Sequence, residues 1–204
     1  MADTLIARRS FTVNPQHAGK RMSLTRFAHA ETAPGHLYEL ERGVVVVSNV
    51  PGVSHERILA FLRRAFARYE DSHSGLINLV SGGQGCVMRM WELQSERHPG
   101  LTVYLSPPPS DEEQTWDEWT PDLVIEVVSK ESRQRDYVIK REDYLAAGVR
   151  QYWIIDPNKE SATLLIRRGD TWREIKLDRK GVIRAFLLPG FSLRLSDVLA
   201  AGSR

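Results

Sequence analysis

The stretch PDLVIEVVSKESRQRDYVIKREDYLAAGVRQYWIID, residues 121–156, decides the fold of this chain. Its first apolar run, residues 123–128, is short, rich in β-branched side chains and preceded by a proline, which predicts a buried strand. An amphipathic helix follows, with Ser132 at its N-cap and Gly148 as its stop signal. Residues 151–155 then predict a second strand.

One carboxylate inside the first strand needs a physical explanation. Buried strands rarely contain a carboxylate unless a cation or hydrogen-bond donors pair with it, yet Glu126 lies in the middle of this run. Side chains alternate along a strand, so Asp122 shares the face of Glu126, about 13 Å away. The two can ligate one metal ion only if the chain bends sharply between them. Otherwise the partner of Glu126 comes from another element.

The predicted helix offers such a partner. Asp136, Lys140 and Tyr144 recur every four residues, which places them on one helix face. Lys140 and Glu126 can therefore face the same pocket. Two interpretations stay open at this point: the two residues belong to a functional site, or they form a structural ion pair beside an ordinary solvated pair of Asp136 and Lys140.

Several segments match one known family. They are PDLVIEVVS at 121–129, the pattern Arg135-Asp136-x-x-x-Lys140, Tyr144, GVRQYWIIDP at 148–157, and upstream MSLTRFAHAE, YELERG and SHERI. With them the chain resembles the bacterial family called Uma-two, described as "putative restriction endonucleases", a branch of the PD-(D/E)XK nuclease superfamily. The resemblance covers about residues 22–199 and implies a restriction-endonuclease-like α+β (α/β) core, a mixed curved sheet flanked by helices.

The resemblance also implies a chemistry. It predicts a metal-dependent nuclease that hydrolyses phosphodiester bonds of nucleic acid, most simply DNA, with Mg²⁺ or Mn²⁺ as cofactor. A cation held by carboxylates acidifies bound water and neutralises the developing negative charge. Glu126 corresponds to the metal-binding glutamate of the family. The superfamily lysine, normally two residues later, would fall on Val128, so the helix is expected to supply it as Lys140.

Five further residues are candidates for the same site. Asp122 is expected as a metal ligand and catalytic residue, and Glu39 as a metal ligand. The alternative for Glu39 is a cross-strand or solvent-facing charge. His55, Asp136 and Tyr144 are expected to support the ligands, although a histidine at the start of a helix is more often a cap or a packing residue.

The chain departs from its family at one position. Family members usually carry a Pro-Asp pair before an apolar strand, and that aspartate is the second metal ligand. Here the segment reads RHPGLTVYL, so the expected aspartate falls on Gly100. Either another group such as Glu39 or His98 completes the site, or metal binding is weak and activity is low or absent. The alternative function is then a nucleic-acid-binding or dimeric interaction module on a nuclease fold.

The long helix predicted at 54–69 carries a second candidate surface. Arg57, Arg63, Arg64 and Arg68 lie mostly off its apolar stripe. They form either a phosphate-facing surface or a solvated face. The remaining pattern predicts a short helix after Ser23, strands at 37–40, 44–47, 76–80, 87–91, 101–105, 162–167, 171–176 and 182–187, and a last helical turn at 196–200.

Length and composition limit the possible domain organisation and cellular location of the protein. The 204 residues predict one domain at 22–204 after a loose arm at 1–21. A charged fraction of 26%, a net charge of +2 and a single cysteine, Cys86, exclude a disulfide framework and a strongly basic chain. No apolar run is long enough for a membrane, and no signal peptide is visible, so a cytoplasmic protein is expected. A sheet edge near 162–176 predicts a homodimer.

Overall fold

The structure is a computed structural model that describes residues 11–110 and 116–203. The strands are β1 Thr12–Val13, β2 Glu31–Thr32, β3 His36–Glu41, β4 Val44–Asn49, β5 Leu79–Ser81, β6 Met88–Met90, β7 Ser95–Arg97, β8 Leu101–Tyr104, β9 Leu123–Val127, β10 Gln151–Asp156, β11 Ser161–Arg168, β12 Thr171–Leu177, β13 Val182–Arg184 and β14 Ser192–Arg194. The α-helices are α1 Leu24–Ala28, α2 Val53–Ser72, α3 Lys140–Ala146 and α4 Leu195–Ala201. No helix among the described residues is long and apolar enough to cross a membrane.

The chain divides into two compact units. The first comprises Met1–Val50 with Trp91–Arg97, and the second comprises Pro51–Met90 with His98–Arg204. In the first unit β3 pairs with β4 through a turn at Arg42 and Gly43, whose φ angles of 48° and 76° suit a tight hairpin turn. Its core consists of Val13, Met22, Leu24, Phe27, Tyr38, Leu40 and Val45.

Part of the expected N-terminal arm belongs to this core. Val13 is fully buried, and β1 pairs in parallel with β2. The apolar core contact of Val13 therefore ties this segment to the first unit, whereas residues 1–10 lie outside the described part of the chain. The short helix expected after Ser23 is α1, whose N-cap is Ser23: its hydroxyl accepts the Arg26 amide.

The second unit contains a six-stranded mixed sheet in the order β12-β11-β10-β9-β8-β5. The two strands of the 121–156 stretch, β9 and β10, are parallel neighbours, and the other neighbours are antiparallel. A parallel pair needs a crossover connection, which the helical segment between β9 and β10 supplies. The predicted mixed sheet with packed helices is thus confirmed.

The two faces of this sheet carry different layers. Leu123, Ile125 and Val127 of β9 belong to the cluster that includes the apolar stripe of α2 and residues of α4. Val124, between them, belongs to a second cluster that includes Tyr144 of α3. Because side chains alternate, Glu126 shares the face of Val124 and lies beneath α3. The fold therefore brings the strand carboxylate to the helix that follows it.

Three local expectations were wrong. The strand expected at 182–187 ends at Arg184, because a turn follows in which the Leu188 amide binds the Ala185 carbonyl. The sequence pattern missed β7, since its three residues Ser95–Arg97 are all polar although buried. The helix expected from Ser132 onward begins as a π-helix, Arg135–Ile139, before it continues as α3.

Gly82 provides a test of how closely two loops approach each other in the second unit. A Cβ atom at this position would lie 2.3 Å from the Gly100 carbonyl oxygen, and its φ is 154°. We expect Gly82→Ala to lower the free energy of unfolding by about 2–4 kcal/mol, from the clash and the backbone strain together. The control is Gly83→Ala, which has a φ of 59° but open space around its Cβ position. Gly83→Ala should lower the free energy of unfolding by about 1 kcal/mol, measured by urea denaturation. Equal losses for the two variants would contradict the close approach of Gly82 to the Gly100 carbonyl.

Candidate functional site

The Glu126 carboxylate is the centre of a buried polar cluster. β9 holds its side chain beneath α3, where the residue is 6% exposed. Its Oε1 accepts hydrogen bonds from Lys140 Nζ at 2.8 Å and from Tyr144 Oη at 2.7 Å. Its Oε2 accepts the Gly100 amide at 3.3 Å. Three donors, two from α3 and one from the backbone just before β8, thus compensate the burial of this carboxylate.

Lys140 lies between two buried carboxylates. Its ammonium is 3.4 Å from Asp136 Oδ1 as well as 2.8 Å from Glu126. Asp136 is 1% exposed, and its Oδ2 accepts the Ser132 hydroxyl at 2.5 Å. The interpretation of Asp136 and Lys140 as a solvated surface pair is therefore wrong. These three side chains form a buried cluster with one formal positive and two formal negative charges.

The π-helical turn leads directly into this cluster. In it the Lys140 amide binds the Arg135 carbonyl, five residues earlier. Such wider turns are rare in proteins and frequent at functional sites. The turn places Asp136 in the interior and leaves Val138 49% exposed. Tyr152 Oη donates to the Asp136 carbonyl at 2.9 Å, which anchors the turn to β10.

Gly100 lies across from Glu126 on the neighbouring strand. In the antiparallel pair of β8 and β9, Leu101 is opposite Ile125, so Gly100, the residue immediately before β8, lies across from Glu126, whose Oε2 accepts its amide. A Cβ atom on Gly100 would lie 3.6 Å from Glu126 Oε2. A side chain at position 100 would therefore enter the cluster, and glycine supplies none.

Asp122 is not part of this cluster. Its Oδ1 forms an ion pair with Arg150 at 3.0 Å, and its Oδ2 accepts the Leu105 amide at 2.8 Å. These contacts join the start of β9 to the end of β8 and to the segment before β10. Asp122 therefore has a structural environment of its own, separated from Glu126 by the length of the strand.

The other predicted candidates have separate partners. Glu39 belongs to the first unit, where it is 6% exposed and lies 3.6 Å from the fully buried guanidinium of Arg97. His55 lies in the first turn of α2, with Nδ1 3.4 Å from Glu56 Oε1. His98 Nδ1 lies 3.0 Å from the Cys86 carbonyl oxygen. Of the expected residues, the structure brings Glu126, Asp136, Lys140 and Tyr144 together.

Sequence reasoning missed a pair of groups beside the cluster. Cys86 Sγ lies 3.2 Å from Tyr104 Oη, and Thr102 donates to the same sulfur at 3.5 Å. Burial raises the pKa of the Cys86 thiol, and the charge of Glu126 raises it further, against the hydrogen bonds from Tyr104 and Thr102. Burial also raises the pKa of Tyr104. Alternation along β8, which puts Thr102 and Tyr104 on one face, was the available signal in the sequence.

The residues present do not fit a resident divalent ion. Among residues 11–110 and 116–203 no group of three or more His, Cys, Asp or Glu side chains is placed to hold a metal. Mg²⁺ is usually bound by one or two carboxylates and several waters. Both oxygens of Glu126 already accept hydrogen bonds, and Asp136 is held by Ser132 and Lys140. A cation at Glu126 would have to compete with the Lys140 ammonium.

Comparisons with known proteins place the chain in a class. Its mixed α+β fold is similar to that in a crystal structure of "a putative nuclease belonging to DUF820" from Anabaena variabilis ATCC 29413, with a TM-score of 0.72. That match has 15% sequence identity and covers 89% of this chain and 99% of the other. The chain belongs to the Uma2 family, described as "Putative restriction endonuclease", whose model matches residues 24–196. No curated protein matches it.

Removal of the buried ammonium tests the cluster. We expect Lys140→Met to lower the free energy of unfolding by about 3–5 kcal/mol, because two buried carboxylates lose their cation. Adding Glu126→Gln should recover part of that loss, since one buried charge then disappears. The control is Lys176→Met, whose side chain is 81% exposed beside Glu174 and which should cost about 0–1 kcal/mol. Equal urea midpoints for the two methionine variants would contradict a buried pair.

Proposed function

We propose that this protein binds nucleic acid on a nuclease fold and that its hydrolytic activity is low or absent. Family membership and fold support nucleic acid as the ligand. Low or absent hydrolysis is supported by Gly100, which lies across from Glu126 and has no side chain. The site then has one strand carboxylate where the family resemblance implies two.

Under this proposal the cluster is a nuclease site that lacks one component. Glu126 is the residue that would hold a divalent ion, and Lys140 is the residue that would face the scissile phosphate as a point charge. With position 100 empty, the Lys140 ammonium is the cation that Glu126 binds. Asp136 holds that ammonium from the other side and so favours this arrangement.

The competing function is an active Mg²⁺- or Mn²⁺-dependent endonuclease acting on DNA. The convergence of Glu126, Lys140 and Asp136 favours it, because a buried lysine beside two carboxylates is unusual outside functional sites. Asp136 would then be the second carboxylate, with Lys140 displaced when an ion binds. The two functions differ in whether the protein as it stands cleaves DNA.

Restoring a carboxylate at position 100 separates these functions. We expect wild type to bind Mn²⁺ weakly in calorimetric titration, and Gly100→Asp to bind it at least about tenfold more tightly, since affinity for hard cations rises with carboxylate number. Gly100→Asp should also gain cleavage of supercoiled plasmid in Mg²⁺ or Mn²⁺. A Cβ atom at position 100 would lie 3.2 Å from the Ile125 carbonyl oxygen, so the backbone around it must shift by a few tenths of an ångström.

The matched control for that adjustment is Gly100→Asn, which adds the same bulk without the charge. It should neither gain Mn²⁺ affinity nor cleave plasmid. Robust cleavage by wild type, abolished by Glu126→Gln, would contradict the proposed function and favour the active endonuclease.

We also propose that the protein is a homodimer. The sheet of the second unit ends in β12 on one side and in β5 on the other, and exposed edges are usually paired or protected. β12 carries the exposed cations Arg173 and Lys176, which disfavour pairing through that edge, so the short strand β5 is the better candidate. Sedimentation at micromolar concentration should show a species of twice 23.2 kDa; a monomer alone would contradict the dimer.

A further inference from the structure

The long helix α2 has an outer face that the cluster at Glu126 does not use. Its inner face buries Ile58, Leu59, Leu62, Ala65, Phe66 and Tyr69. With 3.6 residues per turn, Arg57, Arg64 and Arg68 fall within about 40° of one another on the side away from that stripe. All three are exposed. We call these three residues the arginine row.

The exposed Asp71 lies on the same side of α2 as the arginine row, three residues after Arg68, but forms no ion pair with it. Within residues 11–110 and 116–203, none of its three members forms an ion pair or a side-chain hydrogen bond. Other arginines of the same unit do pair, such as Arg133 with Asp156 and Arg141 with Glu174. Arg63 differs from the row, since it lies about 100° away from Arg64, on the side of the helix that also carries Glu56 and Glu70.

The spacing of the row suits a phosphate backbone. Along the helix axis Arg57 and Arg64 are about 10.5 Å apart, and Arg64 and Arg68 about 6 Å apart, at 1.5 Å per residue. Each strand of duplex DNA carries a phosphate every 3.4 Å of axis, about five over the length of the row. Guanidinium groups bind phosphate oxygens in a planar two-point geometry.

The same helix borders the candidate site. The Leu59 side chain lies 3.4 Å from the Cβ position of Gly100, and Glu126 Oε2 lies 3.6 Å from that position. The second turn of α2 therefore reaches the strand end at which position 100 and Glu126 meet. The arginine row itself lies on the outer face of α2, on the side of the sheet opposite α3, so nucleic acid bound there docks on the same unit without contacting the cluster.

We propose that the arginine row binds the phosphate backbone of double-stranded DNA and supplies most of the affinity of this protein for it, independently of base sequence. The inference rests on the proposed function for the identity of the ligand and assigns its docking surface. Arginines that contact phosphates release condensed counterions, so each contact adds about 0.9 to the slope of log K against log salt concentration.

The test is fluorescence anisotropy with a labelled 20-base-pair duplex, titrated with the full chain over a series of NaCl concentrations. Arg57→Gln/Arg64→Gln/Arg68→Gln should weaken binding roughly a hundredfold at 0.1 M salt and reduce the salt slope by about 2.7. Arg64→Gln alone should weaken binding roughly five- to tenfold, whereas the adjacent Arg63→Gln should change it less than twofold. Substitution of the row by lysines should retain most of the salt slope.

A second control removes the same charge elsewhere in the unit. Arg168→Gln/Arg173→Gln/Lys180→Gln, at exposed positions of the β11–β12 hairpin and the turn after it, should leave affinity and slope nearly unchanged. Circular dichroism melts of all variants check that they are folded. If the triple row variant is unfolded, the single variants test the inference instead: equal DNA affinities for Arg64→Gln and Arg63→Gln would overturn it.

The possible failures are distinguishable. If wild type binds neither duplex nor single-stranded DNA at low salt, the proposed function and this inference both fail. If wild type binds duplex but the row variant loses no more than the hairpin control, the inference is overturned and the proposed function stands. If the row instead mediates binding to vesicles containing phosphatidylserine while DNA is not bound, the partner is a membrane surface and the inference is likewise overturned.

Discussion

The ion pair between Glu126 and Lys140 is the interaction on which the rest of this site depends. A carboxylate buried in the middle of a strand is costly unless donors compensate its charge. Lys140 does so from the first turn of α3, with help from Tyr144 one turn later. The pair therefore joins the helix to the sheet. Asp136 completes it from the preceding π-helical turn, whose carbonyl is bound by Tyr152 of β10.

Under the proposed function, the Glu126–Lys140 ion pair occupies the position that a divalent ion would take in an active nuclease. A divalent cation needs carboxylate oxygens that face a common point. Here Glu126 faces an ammonium, and the residue opposite on the neighbouring strand is Gly100. A nuclease fold can retain its stability and its affinity for nucleic acid without that ion, since phosphate contacts come from exposed cations on the surface. Membership of a family described as "Putative restriction endonuclease" is thus compatible with the low or absent hydrolysis that we propose.

The sequence was informative wherever a signal was local. The apolar run around Glu126 predicted β9, the four-residue spacing placed Lys140 and Tyr144 on one helix face, and the family pattern pointed to Gly100. Contacts between residues far apart in the chain could not be predicted from a local sequence pattern. Arg150, the partner of Asp122, is 28 residues away in the chain, and its identity follows only from strand register. The π-helical turn was also beyond prediction, because its residues carry an ordinary helical pattern.

Crystals soaked in MnCl₂ and measured at the manganese edge would show directly whether Glu126 binds a metal ion or the Lys140 ammonium. We expect no anomalous peak within coordinating distance of Glu126, and Lys140 Nζ should still donate its hydrogen bond to the carboxylate. The same soak of Gly100→Asp should show a peak between the two carboxylates. A manganese ion bound to Glu126 in the wild-type protein, with the Lys140 ammonium displaced, would contradict the proposal that the ion pair takes the place of the metal.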